Sequence, residues 1–225
     1  MRTIHLGTLV VGFLALSAAL AAAQPAPILN IIEVQKLVAS EASADQARLA
    51  AHFTALADQS ASEANRHETM STAYAGHRSP ALAASMGVHC DRLADLNRQA
   101  ATTLGELAAH HRKLAAGGAS TLPPNAAAYH SGKGARKPTG KDLRDLAVKA
   151  TSVADHRALM EYFQTTAKRH AAAAADYTRM AQTYRGTKIA AAGFNADHLA
   201  MLSRDAEKEA IAAAKMHKDL AGIAR

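Results

Sequence analysis

Three side chains in the first half of the chain are of the types that bind transition metals. His89 and Cys90 are adjacent, Cys90 is the only cysteine, and His67 lies upstream in a segment with helical periodicity. If the two segments fold back on each other about residues 77 and 78, His67 meets His89 and Cys90 in one layer. Imidazole nitrogens and a thiolate suit Zn²⁺ or a copper ion. These residues are candidate ligands of a zinc or copper site, which is the alternative to plain burial of the three side chains.

A second pattern pairs an aspartate with a histidine, and it occurs in both halves of the chain. The same folding operation places Asp45 opposite His111, and a fold about residue 186 places Asp155 opposite His217. An aspartate can orient an imidazole as a base or as a metal ligand. Asp in the first turn of a helix and His in the last turn also complement the helix dipole, so a purely electrostatic role stays open.

The motifs of several enzyme and cofactor classes are missing from the sequence. It contains no CxxCH for covalent haem, no HExxH, no Glu-x-x-His of the di-iron bundles and no G-x-S-x-G. We therefore expect a binding or structural role rather than catalysis.

The segments that would position these residues occur twice in the sequence, as two similar copies. The segment that starts at Ala44 matches the segment that starts at Ala154, with identities at Asp, Phe, Met, Tyr and Gly positions. After a four-residue deletion the match resumes and includes His111 with His217. Identities of these types in one order indicate an internal duplication, with repeat 1 at 24–116 and repeat 2 at 141–225.

The two repeats differ at the position of the cysteine. Ala196 stands in repeat 2 where repeat 1 has Cys90. The predicted metal donors therefore belong to repeat 1 alone.

Each repeat has the periodicity of two long helices. Apolar residues recur at alternating steps of four and three, as on one face of an α-helix, and polar residues interrupt this face at several positions. Gly76 follows the first helix, and Ser79 with Pro80 supplies an N-cap and a first-turn proline for the second. Each repeat is thus predicted to be an antiparallel helical hairpin with helices about 50 Å long.

The predicted fold class is all-α. Two hairpins of this kind would bury their apolar faces together as an up-down four-helix bundle. The segments PILNIIEVQKLVAS and GKDLRDLAVKAT, which precede the hairpins, predict one additional short helix in each repeat.

The first residues of the chain predict export. Residues 1–23 contain Arg2, a continuous apolar run from Leu6 and three alanines before the predicted cleavage site. This order is typical of a secretory signal peptide, and a transmembrane anchor is the alternative. We expect the mature chain in the periplasm or outside the cell.

The segment 117–140 between the repeats is rich in Gly, Pro and Lys and has no hydrophobic period, which predicts a flexible basic linker. An up-down bundle is expected to need only a few residues at this position. The formal net charge of the chain is +7. In an exported protein this charge favours an anionic envelope component or an acidic protein over nucleic acid as partner, and solubility alone is the plainer explanation of the charge.

The single cysteine cannot form an internal disulfide in an oxidising compartment. Cys90 is therefore predicted to be buried, to bind metal or to link a dimer. The patterns together predict an exported, non-catalytic helical bundle with a binding or structural role in the bacterial envelope. The alternative is a periplasmic bundle that binds zinc or copper through the His and Cys donors of repeat 1.

Overall fold

The computed structural model describes residues 28–118 and 140–223, and every regular element in these ranges is an α-helix. The helices are α1 Ile31–Val38, α2 Ser43–Ala75, α3 Pro80–Ala115, α4 Gly140–Lys149, α5 Val153–Arg185 and α6 Ala192–Ile223. The predicted all-α class is confirmed. Each predicted repeat contains a short helix followed by two long ones.

The predicted signal peptide, residues 1–23, lies outside the described residues, as does most of the predicted linker 117–140. Among the helices of the described ranges, none combines the length and the apolar character needed to cross a membrane. Export, and a location in the periplasm or outside the cell, therefore stay predictions from the sequence.

Local sequence signals explain where several helices begin and end. Asn30 caps α1 by accepting a hydrogen bond from the Glu33 N–H at 3.0 Å, while the Glu33 carboxylate accepts one from the Asn30 N–H. Ser79 caps α3 and Pro80 occupies its first turn, as the sequence predicts. Gly117 follows α3 with a φ of 75°, a conformation that glycine adopts without steric cost.

The long helices pack as two hairpins that meet through one helix of each. α2 packs along α3, α5 packs along α6, and α3 packs against α6. The short helices α1 and α4 each pack against both α2 and α5. In the described residues, no Cα atom of α2 lies within 8 Å of a Cα atom of α5. Long side chains and the two short helices therefore connect α2 to α5.

The buried apolar side chains form two clusters at opposite ends of the long helices. The first core contains the end of α2, with Met70 and Tyr74, together with Leu143 of α4. The second core contains the beginning of α2, with Leu49 and Phe53, together with α1. Burying one large apolar side chain in these cores stabilises the folded state by about 1.5–3 kcal/mol. Each short helix therefore closes one end of the space between α2 and α5.

The connection between the repeats joins opposite ends of the molecule. α3 ends at the second core, where His111 contacts Tyr184, whereas α4 lies in the first core. A return along helices of about 50 Å needs about 15 extended residues. The expectation that only a few residues are needed between the repeats is therefore wrong for this packing.

Candidate functional site

The structure places the three predicted metal ligands on different faces. His67 extends from α2 toward α5, where its ring stacks on Phe163 with ring centroids 6.4 Å apart. His89 lies on α3, and its Nδ1 is 2.8 Å from the Glu209 carboxylate of α6. Cys90 is buried in the first core. The three side chains are therefore not brought together.

Helical geometry explains why the expected layer does not form. Consecutive residues of an α-helix point about 100° apart, so His89 and Cys90 cannot both face His67. In the part of the chain that the structure describes, no three His, Cys, Asp or Glu side chains are grouped closely enough to hold a metal ion. Zinc or copper binding stays a prediction that the geometry does not favour.

The cysteine itself is enclosed by the first core. Its exposed fraction is 0 %, and burial raises the pKa of the Cys90 thiol above its usual range. Metals and disulfide exchange both require the thiolate, which this environment disfavours. A dimer linked through Cys90 does not fit this packing, because a second copy cannot reach the sulfur while the helices are packed.

The two predicted Asp–His pairs do not form, and each histidine contacts a neighbouring residue instead. Asp45 and Asp155 each accept a hydrogen bond from a serine hydroxyl just before their own helix, and both lie in the first helical turn. His111 instead contacts Gln46, the residue after Asp45, with 2.6 Å between Nδ1 and Oε1. Both aspartates are thus placed where a negative charge complements the helix dipole.

Each of these histidines contacts a tyrosine of the other hairpin. Nε2 of His111 lies 2.7 Å from the hydroxyl of Tyr184, and Nε2 of His217 lies 2.9 Å from the hydroxyl of Tyr74. All four side chains are fully buried. A buried phenol and a buried imidazole satisfy each other's polar atoms, so these contacts join the two hairpins without leaving a buried polar group unpaired.

The surroundings of the two histidines correspond to each other. Phe53 stacks on His111 with ring centroids 5.4 Å apart, and Phe163 stacks on His217 at 5.9 Å. On its other side His217 contacts His156, with 3.1 Å between the two Nδ1 atoms. Burial lowers the pKa of His111 and of His217 to about 3, so both rings are neutral at neutral pH.

A polar cluster lies between α2 and α5, halfway along both helices, and no sequence motif predicted it. Glu63 of α2 is 3 % exposed, and its carboxylate accepts hydrogen bonds from Arg66 at 2.5 Å and from Arg169 of α5 at 2.8 Å. The other members of this central polar cluster are His67, His170 and Tyr162. The available signal was the interruption of the apolar helix faces by Glu63 and the histidines.

The central polar cluster contains polar atoms that are buried without a hydrogen-bond partner among the described residues. They are both ring nitrogens of His67, Nε2 of His170, the hydroxyl of Tyr162 and Nη2 of Arg169. Elsewhere in the described ranges only the ring nitrogens of His110 share this condition. Buried polar groups are usually hydrogen-bonded, so these atoms are unusual among the buried side chains of the described ranges.

The cluster carries one net positive charge. Burial lowers the pKa of His67 to about 3 and that of His170 to about 4, and burial raises the pKa of Tyr162 to about 12. These three groups are neutral at pH 7, whereas two guanidinium groups face one carboxylate. The side chain of Arg169 is 31 % exposed and that of Arg66 is 12 % exposed, so the cluster reaches solvent mainly at Arg169.

No protein family, curated protein or solved structure matches the chain. In the described residues it is an all-α protein with two buried His–Tyr contacts and one charged cluster between α2 and α5.

Proposed function

We propose that the chain is an internally duplicated four-helix bundle that is exported and has a binding or structural role in the bacterial envelope, without catalysis. One observation carries this proposal. The histidines that chemistry would use, His111 and His217, are buried in contacts that hold the two repeats together. Neutral imidazoles in this position act in packing, because no substrate reaches them.

The exchange of partners between the repeats supports the duplication. His111 of repeat 1 contacts Tyr184 of repeat 2, and His217 of repeat 2 contacts Tyr74 of repeat 1. Reciprocal contacts of this kind are what a two-fold relation between equivalent units produces. The placement of α1 and α4 on the same pair of helices follows the same relation.

The distribution of charge supports an anionic partner. Among the described residues, Glu63 is the one buried Asp, Glu, Lys or Arg, and the other charged side chains of these ranges are 21 Lys and Arg against 18 Asp and Glu, a small positive excess outside the cores. A basic surface attracts anionic polymers, anionic membrane surfaces and acidic proteins over about one Debye length, 8–10 Å at physiological salt.

Sedimentation with lipid vesicles tests the binding role. We expect residues 24–225 to sediment with vesicles that contain phosphatidylglycerol, to stay in solution with vesicles of phosphatidylcholine alone, and to be released as salt is raised. Polyglutamate on a column is the matching probe for an acidic protein. If neither anionic probe retains the chain at low salt, or if a broad hydrolase screen finds turnover, the proposed role is wrong.

Cell fractionation tests export. When residues 1–225 are expressed in a bacterium with an outer membrane, the chain should be recovered from the periplasmic fraction with Gln24 as its first residue. Mass spectrometry of the intact chain measures this start. Recovery from the cytoplasm with residues 1–23 still attached would contradict the proposal.

A further inference from the structure

The central polar cluster contains hydrogen-bond donors without partners within the described ranges, carries a net positive charge and is partly exposed at Arg169. These are properties of an anion-binding site. We propose that it binds one carboxylate group of a small organic acid, which Arg169 meets first. This inference goes beyond the proposed envelope role and does not depend on it.

The donors of the cluster are only partly used within the chain. Nη1 of Arg169 donates a hydrogen bond to the Glu63 carboxylate at 2.8 Å, while Nη2 of Arg169 has no partner among the described residues. The hydroxyl of Tyr162 makes no close hydrogen bond among the described residues, although Arg66 lies near enough to oppose the rise of its pKa that burial causes, and the Tyr162 ring lies 6.2 Å from that of His67. A neutral imidazole carries one N–H, so His67, whose ring nitrogens are both unpartnered, adds one donor. Guanidinium and hydroxyl donors together match the two oxygens of a carboxylate.

The charge of the cluster selects a monoanion. Two guanidinium groups and the Glu63 carboxylate leave one positive charge in an environment where Glu63 is 3 % exposed. A buried charge without compensation is costly, and one carboxylate neutralises it. A divalent anion would leave an uncompensated negative charge, and a cation would increase the positive excess.

The packing of the helices leaves this site accessible. α1 belongs to the second core and α4 to the first core, so the short helices cover the two ends of the space between α2 and α5. The cluster lies between these ends, and the side chain of Arg169 is 31 % exposed. The unpartnered donors, including Nη2 of Arg169, are buried, so a small acid that enters beside Arg169 displaces part of this side chain to reach them.

The duplication limits the site to one per chain. At the positions equivalent to Glu63, Arg66 and Arg169, the other repeat has Ala173, Asp176 and Gln59. The charged groups therefore occur once, although the helices that carry them occur twice. We expect a stoichiometry of one carboxylate per chain.

Titration of residues 24–225 with acetate, at constant ionic strength and near pH 7, tests the proposal. We expect saturable one-site binding with a Kd in about the millimolar range, which is typical of so small a ligand. Histidine side-chain NMR signals should shift during the titration, and the signals lost in His67→Gln and His170→Gln should be among those that shift. Phosphate and chloride at the same ionic strength should compete poorly.

Three variants make the test specific. Tyr162→Phe should weaken acetate binding about tenfold and should not lower Tm, because the hydroxyl has no partner to lose among the described residues. Arg169→Gln should abolish saturable binding. The control is Arg157→Gln, an exposed arginine on the same helix, which should leave the Kd unchanged.

The proposal is overturned by any of three results: no saturable acetate binding, tighter binding of phosphate or chloride than of acetate, or equal loss in Arg157→Gln and Tyr162→Phe. Acetate binding by Tyr162→Phe still tests the proposal even if Arg169→Gln does not fold. Vesicle binding is measured separately, so the envelope role and the carboxylate site can fail independently.

Discussion

The hydroxyl of Tyr74 lies 2.9 Å from Nε2 of His217, and the two residues belong to different hairpins. Tyr184 and His111 repeat this contact at 2.7 Å at the other end of the helices. Since all four side chains are fully buried, the loss of one partner leaves the other without a hydrogen bond. Two polar contacts inside the apolar cores therefore contribute to the packing of the two hairpins.

Removing either tyrosine hydroxyl should destabilise the fold. We expect Tyr74→Phe and Tyr184→Phe each to lower the free energy of unfolding by about 1–3 kcal/mol, because a buried imidazole nitrogen is left unsatisfied. Urea denaturation followed by circular dichroism measures the change. Tyr162→Phe is the matched control, since its hydroxyl has no partner among the described residues. Equal stability of all three variants would contradict the role of the His–Tyr contacts.

Acid should unfold the protein in the range where histidine is protonated. Burial lowers the pKa of His67, His111 and His217 to about 3, and that of His52 and His170 to about 4. Because these folded-state values lie below the usual 6.5, the unfolded chain binds more protons. Stability is therefore complete above about pH 6.5 and is lost as pH falls toward 4, by up to about 1.4 kcal/mol per pH unit for each histidine.

Urea denaturation at a series of pH values measures this dependence. The slope between about pH 6.5 and 5 reports the histidines, since carboxylates with ordinary pKa values are mostly ionised there. His217→Gln should give a shallower slope than the parent chain. A free energy of unfolding that stays constant down to pH 5 would show that the buried rings are protonated without cost.

Removing the buried carboxylate should have a large effect. We expect Glu63→Ala to lower the free energy of unfolding by about 3–5 kcal/mol, because Arg66 and Arg169 lose the charge that compensates them. Glu68→Ala is the control on the same helix. Its side chain is 63 % exposed and faces Arg98 at 3.5 Å, so the expected change is within about 1 kcal/mol. Similar losses in both variants would contradict this account.

Metal addition distinguishes a plain bundle from a zinc or copper protein. We expect Zn²⁺ and Cu²⁺ to leave Tm unchanged, because His67 and His89 face different helices. Cys90→Ala should cost only a modest packing term, since Ala196 occupies the equivalent position and is fully buried. Elemental analysis of protein from its native compartment gives a second measurement. A metal-dependent rise in Tm that disappears in both Cys90→Ala and His67→Ala would reverse this prediction.

The thiol of Cys90 should be unreactive in the folded chain. It is fully buried and its pKa is raised, so a maleimide should label it only after denaturation, and oxidation should not produce a disulfide-linked dimer. Ser62 lies on the exposed side of α2, so Ser62→Cys introduces a cysteine that should label at once. Fast labelling of Cys90 in the native state would show that the first core opens readily.

Local structure was predictable from the sequence. The caps at Ser79 and Pro80, the end of α3 before Gly117 and the helical class all depend on residues within a turn of each other. The pairing within the first hairpin was also predictable to one residue, since His111 contacts Gln46 where Asp45 was expected. A short turn determines how two helices are aligned along their length, so sequence spacing is sufficient for this step.

Only the tertiary structure decided which side chains meet. Two residues in sequence point about 100° apart on a helix, so a small rotation of α2 determines whether His67 faces His89 on α3 or Phe163 on α5. The polar character of Glu63 was visible in the sequence, but its partner Arg169 lies 106 residues away. Their contact depends on how two hairpins pack. That packing is determined by the summed burial of many apolar side chains, and no single spacing in the sequence reports it.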